Sequence, residues 1–235
     1  MKKSILQYSA LPMILMVLSL TVQAQEKNKS IIEQEFESKL LQWNNSKNAA
    51  GILLDKPTQN SSIEAGYNST NGKFKQPQIG QKVSDAFMKT KGNIYLKKFY
   101  LQGYFNYNRT SIKDAAYNAS LIDPLRNMPY IVADTNSSNW LNQHYDLGFK
   151  LSTQPMTDKL TLGLAANYKS SSGAKQRDIR AENYIYDLHL APSVVYSINN
   201  AHYIGANFMY KNTKEESSNM NVNTYVDQSY FFLFG

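Results

Sequence analysis

The chain contains no cysteine. In an oxidising compartment disulfides therefore supply none of its stability, and thiol nucleophiles and cysteine-held metals are excluded. Beyond residue 24 no apolar run approaches the ~20 residues that a membrane-spanning helix needs. Histidine is scarce: His144, His189 and His202 are the three present, and none stands in HExxH or another metal-ligand spacing. GxxxxGK, GxGxxG and the acidic DxDxDG calcium loop are all missing. No cofactor and no metal is expected.

The amino terminus has the three parts of an export leader. Lys2 and Lys3 form a basic start, Leu11 to Leu20 an apolar stretch, and Val22-Gln23-Ala24 a small-x-small site. The pattern predicts a signal peptide over residues 1–24, cleaved before Gln25. The apolar stretch is too short for a spanning helix, and no cysteine follows the site to carry a lipid anchor. The formal charge is +7. A basic balance can indicate nucleic acid, but the lysines are scattered over turns, loops and one strand face of an exported chain. No nucleic-acid partner is expected. A solvated interior and contact with acidic surface glycans fit the charge better.

What is abundant is period-two alternation. In Leu160 to Tyr168, the residues Leu160, Leu162, Leu164, Ala166 and Tyr168 share one face, and Thr161, Gly163, Ala165 and Asn167 share the other. The pattern recurs. Strands are expected near Ser61–Ser69, Val83–Leu96, Phe99–Arg109, Trp140–Thr153, Lys159–Lys169, Glu182–Ile198 and Tyr203–Lys211, with a last apolar run at SYFFLFG. Leu101, Phe105 and Tyr107 oppose Gln102, Tyr104, Asn106 and Asn108. Tyr145, Leu147, Phe149 and Leu151 oppose Asp146, Gly148, Lys150 and Ser152. Short turns at Lys97-Lys98, Pro155–Asp158 and Asn199-Asn200 alternate with long polar connections over 110–139, 170–181 and 212–223. Outer-membrane barrels have this alternation of short periplasmic turns and long external loops. Many of the 17 tyrosines fall at strand ends, where a ring with a polar tip suits a lipid–water boundary. Pro192, inside a strand, predicts a bulge or local widening.

Residues 25–60 read differently. Ser30 and Glu33 have capping-box spacing, and Ile32, Phe36, Leu40 and Trp43 follow at helical intervals. A short amphipathic helix is expected over Ser30–Trp43, followed by a small-residue turn and an apolar run. Two placements are open: a periplasmic lead-in on the barrel rim, or a plug inside the lumen.

Candidate chemistry is sparse. Asp187, His189 and Ser193 share the inward face of one strand and form a weak catalytic candidate for a barrel-borne hydrolase. Residues two apart on a strand face need help from a neighbouring strand to form a tight nucleophile–base pair. The segment KQRDIRAEN supplies Lys175, Arg177 and Arg180 as candidates for binding acidic glycan or lipopolysaccharide, with a solvated loop as the bland reading. NMPYIVADT is unusually apolar for an exposed loop. Met128, Tyr130 and Asp134 mark it as the first loop in which to look for function, either as an inward constriction or as a strand extension above the membrane.

WNNSKNAAGILL (Trp43–Leu54), PYIVADT (Pro129–Thr135), KQRDIRAEN (Lys175–Asn183) and a leader ending Gln23-Ala24-Gln25 together resemble an uncharacterised outer-membrane β-barrel family of Bacteroidota, a domain of unknown function. The resemblance covers most of the chain after the leader. It implies fold and location, and no reaction. Members look considerably longer than this chain, which implies a truncated member. The alternative is a complete eight-stranded barrel.

The sequence thus predicts an all-β protein, an antiparallel transmembrane β-barrel with about eight strands present. It would be part of a larger barrel, with a short N-terminal amphipathic helix. Residues 1–24 are the leader, 25–60 the periplasmic helix and lead-in, and 61–235 the barrel. The expected role is non-enzymatic: solute passage or binding, or support of a surface assembly in the cell outer membrane. Expected partners are outer-membrane lipid, lipopolysaccharide, the barrel-assembly machinery and an envelope transport partner. The rivals are the hydrolase and a soluble exported β-sheet binding module.

Overall fold

The computed structural model describes residues 30–126, 128–199 and 201–234; the leader expected over 1–24 lies outside them. Two compact units divide at Leu40. The first carries helix α1, Ile31–Leu40. Its start is the expected capping box: the Glu33 N–H donates to Ser30 Oγ at 3.2 Å, and the Ser30 N–H donates to Glu33 Oε2 at 3.0 Å. Lys39 in the last turn suits the negative end of the helix dipole. The helix is shorter than expected. It ends before Trp43, whose indole belongs to the second unit and lies against Gly51.

The second unit is an antiparallel sheet. Its strands are β1 (Ser61–Asn71), β2 (Lys82–Leu96), β3 (Phe99–Ala115), β4 (Tyr130–Asp134), β5 (Ser138–Thr153), β6 (Leu160–Lys175), β7 (Arg180–Ser197), β8 (Tyr203–Asn207), β9 (Tyr210–Met220) and β10 (Tyr230–Phe234). The main sheet runs β1-β2-β3-β5-β6-β7-β8, with β9 also on β7, while β4 pairs with β10 separately. Among the described residues β1 and the β8–β9 pair each have one neighbour, and the sheet does not close on itself. No described helix is long and apolar enough to cross a membrane, which says nothing of strands.

The faces follow the alternation read from the sequence. Register pairs Tyr104 with Gly148, Gly148 with Asn167 and Asn167 with His189, so these polar positions form one row across β3, β5, β6 and β7. Phe105, Leu147, Tyr168 and Leu188 form the next row, on the opposite face. On that second face Phe149 is 38%, Leu162 41% and Ile204 63% exposed. Among the described residues nothing packs over these side chains to bury them.

The strand ends differ from expectation. The connection expected over 170–181 shrinks to residues 176–179, because β6 and β7 run on to Lys175 and back from Arg180. Most of the connection expected over 212–223 is β9. β3 extends to Ala115, with a register shift after Ile112 where Asp114 takes φ 56°. The added stretches of β6 and β9, Lys169–Lys175 and Asn212–Met220, are largely polar on both faces, so alternation is lost there. Ladder hydrogen bonds are made by the backbone and do not require it. The turn expected at Asn199-Asn200 is longer: the Ile198 N–H donates to His202 O, and Asn199 Oδ1 accepts from the Ala201 and His202 N–H groups. No register shift appears at Pro192. The ladders on both sides of it keep step, and β8 and β9 are one strand interrupted opposite Ala191 and Pro192.

Candidate functional site

The polar face of the sheet carries the chemistry, and two stretches of chain cover its ends. At the end with the short turns, residues 43–56 lie across β3, β5, β6, β7 and β8. Asn48 caps a 3₁₀ turn, Ala49–Asp55, by accepting from the Ala50 N–H, and Lys56 closes it in the left-handed region. The Asn48 amide also donates to the carbonyls of Val194 and Ala206, which face each other across β7 and β8. The Ala50 N–H donates to Ser193 Oγ at 3.1 Å, and Ser152 Oγ–H donates to Ala50 O at 3.1 Å. Lys150 Nζ donates to Asn44 O and Ser46 O at 2.8 and 3.0 Å. Ala49, Ile52 and Tyr100 form a small core beneath, and all three are fully buried. Gly163 makes the seat possible, since a Cβ there would stand 2.2 Å from Ala50 N.

At the far end the connection between β3 and β5 folds back over the same face. Ile122 packs against Gly173, and its N–H donates to Glu215 Oε1 at 3.3 Å. Arg126 pairs with Glu215 at 2.5 Å. Lys175 pairs with Asp134, and both side chains are fully buried. Ala115, Trp140 and Ala181 form a second small core here. Tyr130 packs edge-on against Phe232 of β10 at 5.4 Å. Met128 lines a cavity of about 270 Å³ with Pro124, Leu125, Ile131, Leu233, Phe234 and Gln78.

Between the two covers lies a half-exposed polar patch. Gly148 leaves room for the Tyr104 ring, so its phenol reaches across β5 to Asn167, whose amide donates to it at 2.6 Å. Asp146 Oδ1 accepts from both Tyr104 and Asn167. Asp187 Oδ1 accepts from Thr213 at 2.8 Å and lies 3.0 Å from His189 Nε2, while Lys211 stands 3.7 Å from Oδ2. His144 Nδ1 and Ser171 Oγ share a hydrogen bond at 2.8 Å.

These positions reorder the candidates. Asp187 and His189 do meet, two residues apart on one strand. Ser193 does not join them. It sits four residues further along, ~13 Å at strand rise, buried and accepting from Ala50. The row is therefore two separate features. Lys175 and Asp134, expected in separate loops as ligand-binding residues, pair with each other through Asp134 Oδ2, and Asp134 Oδ1 is buried without a hydrogen-bond partner. Arg177 is exposed at the β6–β7 turn, where its N–H donates to Ser138 Oγ. Arg180, half exposed, pairs with the largely covered Asp178. Among the described residues no group of three or more His, Asp or Glu side chains comes together as metal ligands. The residues missed by sequence reasoning are Asn48, Ser152 and Gly163, which hold the seated segment. Glycine and serine at inward positions beside an apolar run near the amino terminus were the available signal.

A search of curated proteins finds no match. The model of a family of unknown function, DUF6850, matches residues 49–235, starting at the first residue of the seated 3₁₀ turn, and the chain belongs to that family.

Proposed function

We propose that this protein is exported through a cleaved leader and is inserted in the cell outer membrane as a non-enzymatic β-barrel protein. There it binds or passes a polar solute, or supports a surface assembly. The observation that carries the reading is the exposed apolar face. Ile94, Leu147, Phe149, Leu162, Tyr196 and Ile204 extend it over β2 to β8, and no described part of the chain covers it. Exposed apolar surface of that extent marks a membrane or partner interface. In a barrel, lipid covers it while the polar face turns inward. Strands β2, β3, β5, β6 and β7 run 15 to 18 residues, whereas ~9–11 suffice to cross a bilayer. The surplus is the polar end, which would stand beyond the hydrocarbon among lipopolysaccharide. Unpaired edges cost several kcal/mol per group in lipid, so β1 and β8–β9 would pair with further strands during assembly by the barrel-assembly machinery.

The test is fractionation followed by gel mobility. Membrane-bound protein that needs detergent for extraction, and that migrates differently boiled and unboiled, is the expected result. Protein released by buffer alone would overturn the reading and favour a soluble exported module, whose open edges would then be its binding surfaces.

A further inference from the structure

We infer that residues 43–56 are a built-in stopper: while they are seated, no solute passes along the polar face, and their release opens the path. This rests on the membrane reading above and specifies how passage would be controlled. The segment is not a loop resting on a surface. Ala49, Ala50 and Ile52 are fully buried, and the segment bonds to strands on both sides of its seat: Lys150 and Ser152 of β5, Ser193 and Val194 of β7, and Ala206 of β8. Two inward glycines accommodate it. A Cβ on Gly163 would collide with the Ala50 backbone, and one on Gly205 would stand 2.8 Å from Asn48 Nδ2. Seating is local: all of these contacts lie at the short-turn end of the strands. Asp146, Asn167, Asp187 and His189 further along touch none of the segment's hydrogen bonds. Releasing it would uncover Lys150, Ser152 and Ser193 and join them to that patch as one continuous polar surface.

The experiment uses the whole exported chain in lipid vesicles, with arabinose as the probe solute. Swelling is compared between the wild type and Asn48→Ala/Ser193→Ala, which removes seating bonds without adding bulk. A cysteine at position 50 (Ala50→Cys) in the cysteine-free chain reports seating separately, through its rate of maleimide labelling. Expected are no swelling for the wild type, at least fivefold faster swelling for the double variant, and at least tenfold faster labelling of position 50 in that background. Equal swelling of the two chains, whether both fast or both absent, overturns the stopper. So does fast labelling in the otherwise unaltered chain. Vesicles that float without the protein overturn the membrane reading itself, and with it any path to close. Should the double variant fail to insert, Lys150→Met provides the same comparison by removing two other bonds to the segment.

Discussion

Two covers lie on one polar face, and they are held by different forces. At the short-turn end the chain backbone is pressed onto the sheet over glycines, with hydrogen bonds to backbone carbonyls and hydroxyls, the Lys150 ammonium among the donors but no ion pair to the sheet, and a small core of Ala49, Ile52 and Tyr100. At the far end the cover is fixed by charge: Lys175 on Asp134, fully buried, and Arg126 on Glu215. Shape complementarity is intolerant of added volume and indifferent to salt. A buried ion pair tolerates replacement by apolar groups but not the loss of one partner. The two ends should therefore fail under different substitutions, and each can be broken without the other.

The largest effect is expected at Gly163. In Gly163→Val a Cβ would stand about 2.2 Å from Ala50 N, and backbone rather than a flexible side chain must yield. A loss of about 4 kcal/mol is expected, among the largest for single substitutions. Urea unfolding of the detergent-refolded protein measures it. A midpoint unchanged from wild type would show that the segment is not seated there. Next is Lys175→Met, which leaves Asp134 buried and unpaired at a cost of about 3 kcal/mol. Adding Asp134→Leu should return most of that loss. Proteolysis within 116–137 is the readout. Faster cleavage in the single variant and near-normal cleavage in the double one is the expected order. Both variants should leave labelling of a cysteine at position 50 unchanged, because they act at the other cover.

How legible this arrangement is in the sequence depends on which force holds each part. The faces were readable throughout the middle of the strands, because Leu160 to Tyr168 and its neighbours place apolar and polar groups in strict alternation. The register follows from that alternation, since a slip by one residue would exchange the faces. The strand ends were not readable. Lys169 to Lys175 and Asn212 to Met220 are polar on both sides, and backbone pairing leaves no trace in such a stretch. Lys175 stood in the charged segment KQRDIRAEN and Asp134 in the apolar segment NMPYIVADT, both of which read as loops. Nothing in a single sequence pairs residues 41 positions apart, so they looked like ligand-binding groups when they are each other's partners. Asn48 was hidden for the opposite reason: an asparagine in a turn-like run has an ordinary local use as a cap, and it does that while also bonding two strands.

The pair of Arg126 and Glu215 sharpens the contrast at lower cost. The arginine side chain is one-third exposed and the glutamate one-tenth, so screening reduces the pair's worth. Arg126→Ala should cost about 1 kcal/mol, read as a modest rise in cleavage within 116–137. Salt at ~1 M, where the Debye length falls to ~3 Å, should produce a similar rise in the wild type. Labelling at position 50 should not respond to salt. If it does, the two covers are coupled through the strands rather than independent.

The smallest effect should come from Pro192, which lies beside the seat of the stopper and looks from the sequence like the most disruptive residue in β7. Phe208 N–H donates to Pro192 O at 3.1 Å, and the return bond to Phe208 O is the one that proline cannot make. The rungs on either side, Leu190 with Tyr210 and Ser193 with Asn207, are in step. The rung Val194 with Ala206 takes two extra hydrogen bonds from the Asn48 amide. The strand is thus already held in register without the missing donor. Pro192→Ala would restore one N–H to a ladder that has space for it, against the added chain entropy of the unfolded state. Those terms oppose each other, so the urea midpoint should shift by less than about 0.5 kcal/mol equivalent. Hydrogen exchange at Phe208 and Met209 should slow as β8 and β9 join. A large loss of stability instead would mean that the proline's fixed backbone, rather than Asn48, aligns the seat of the stopper.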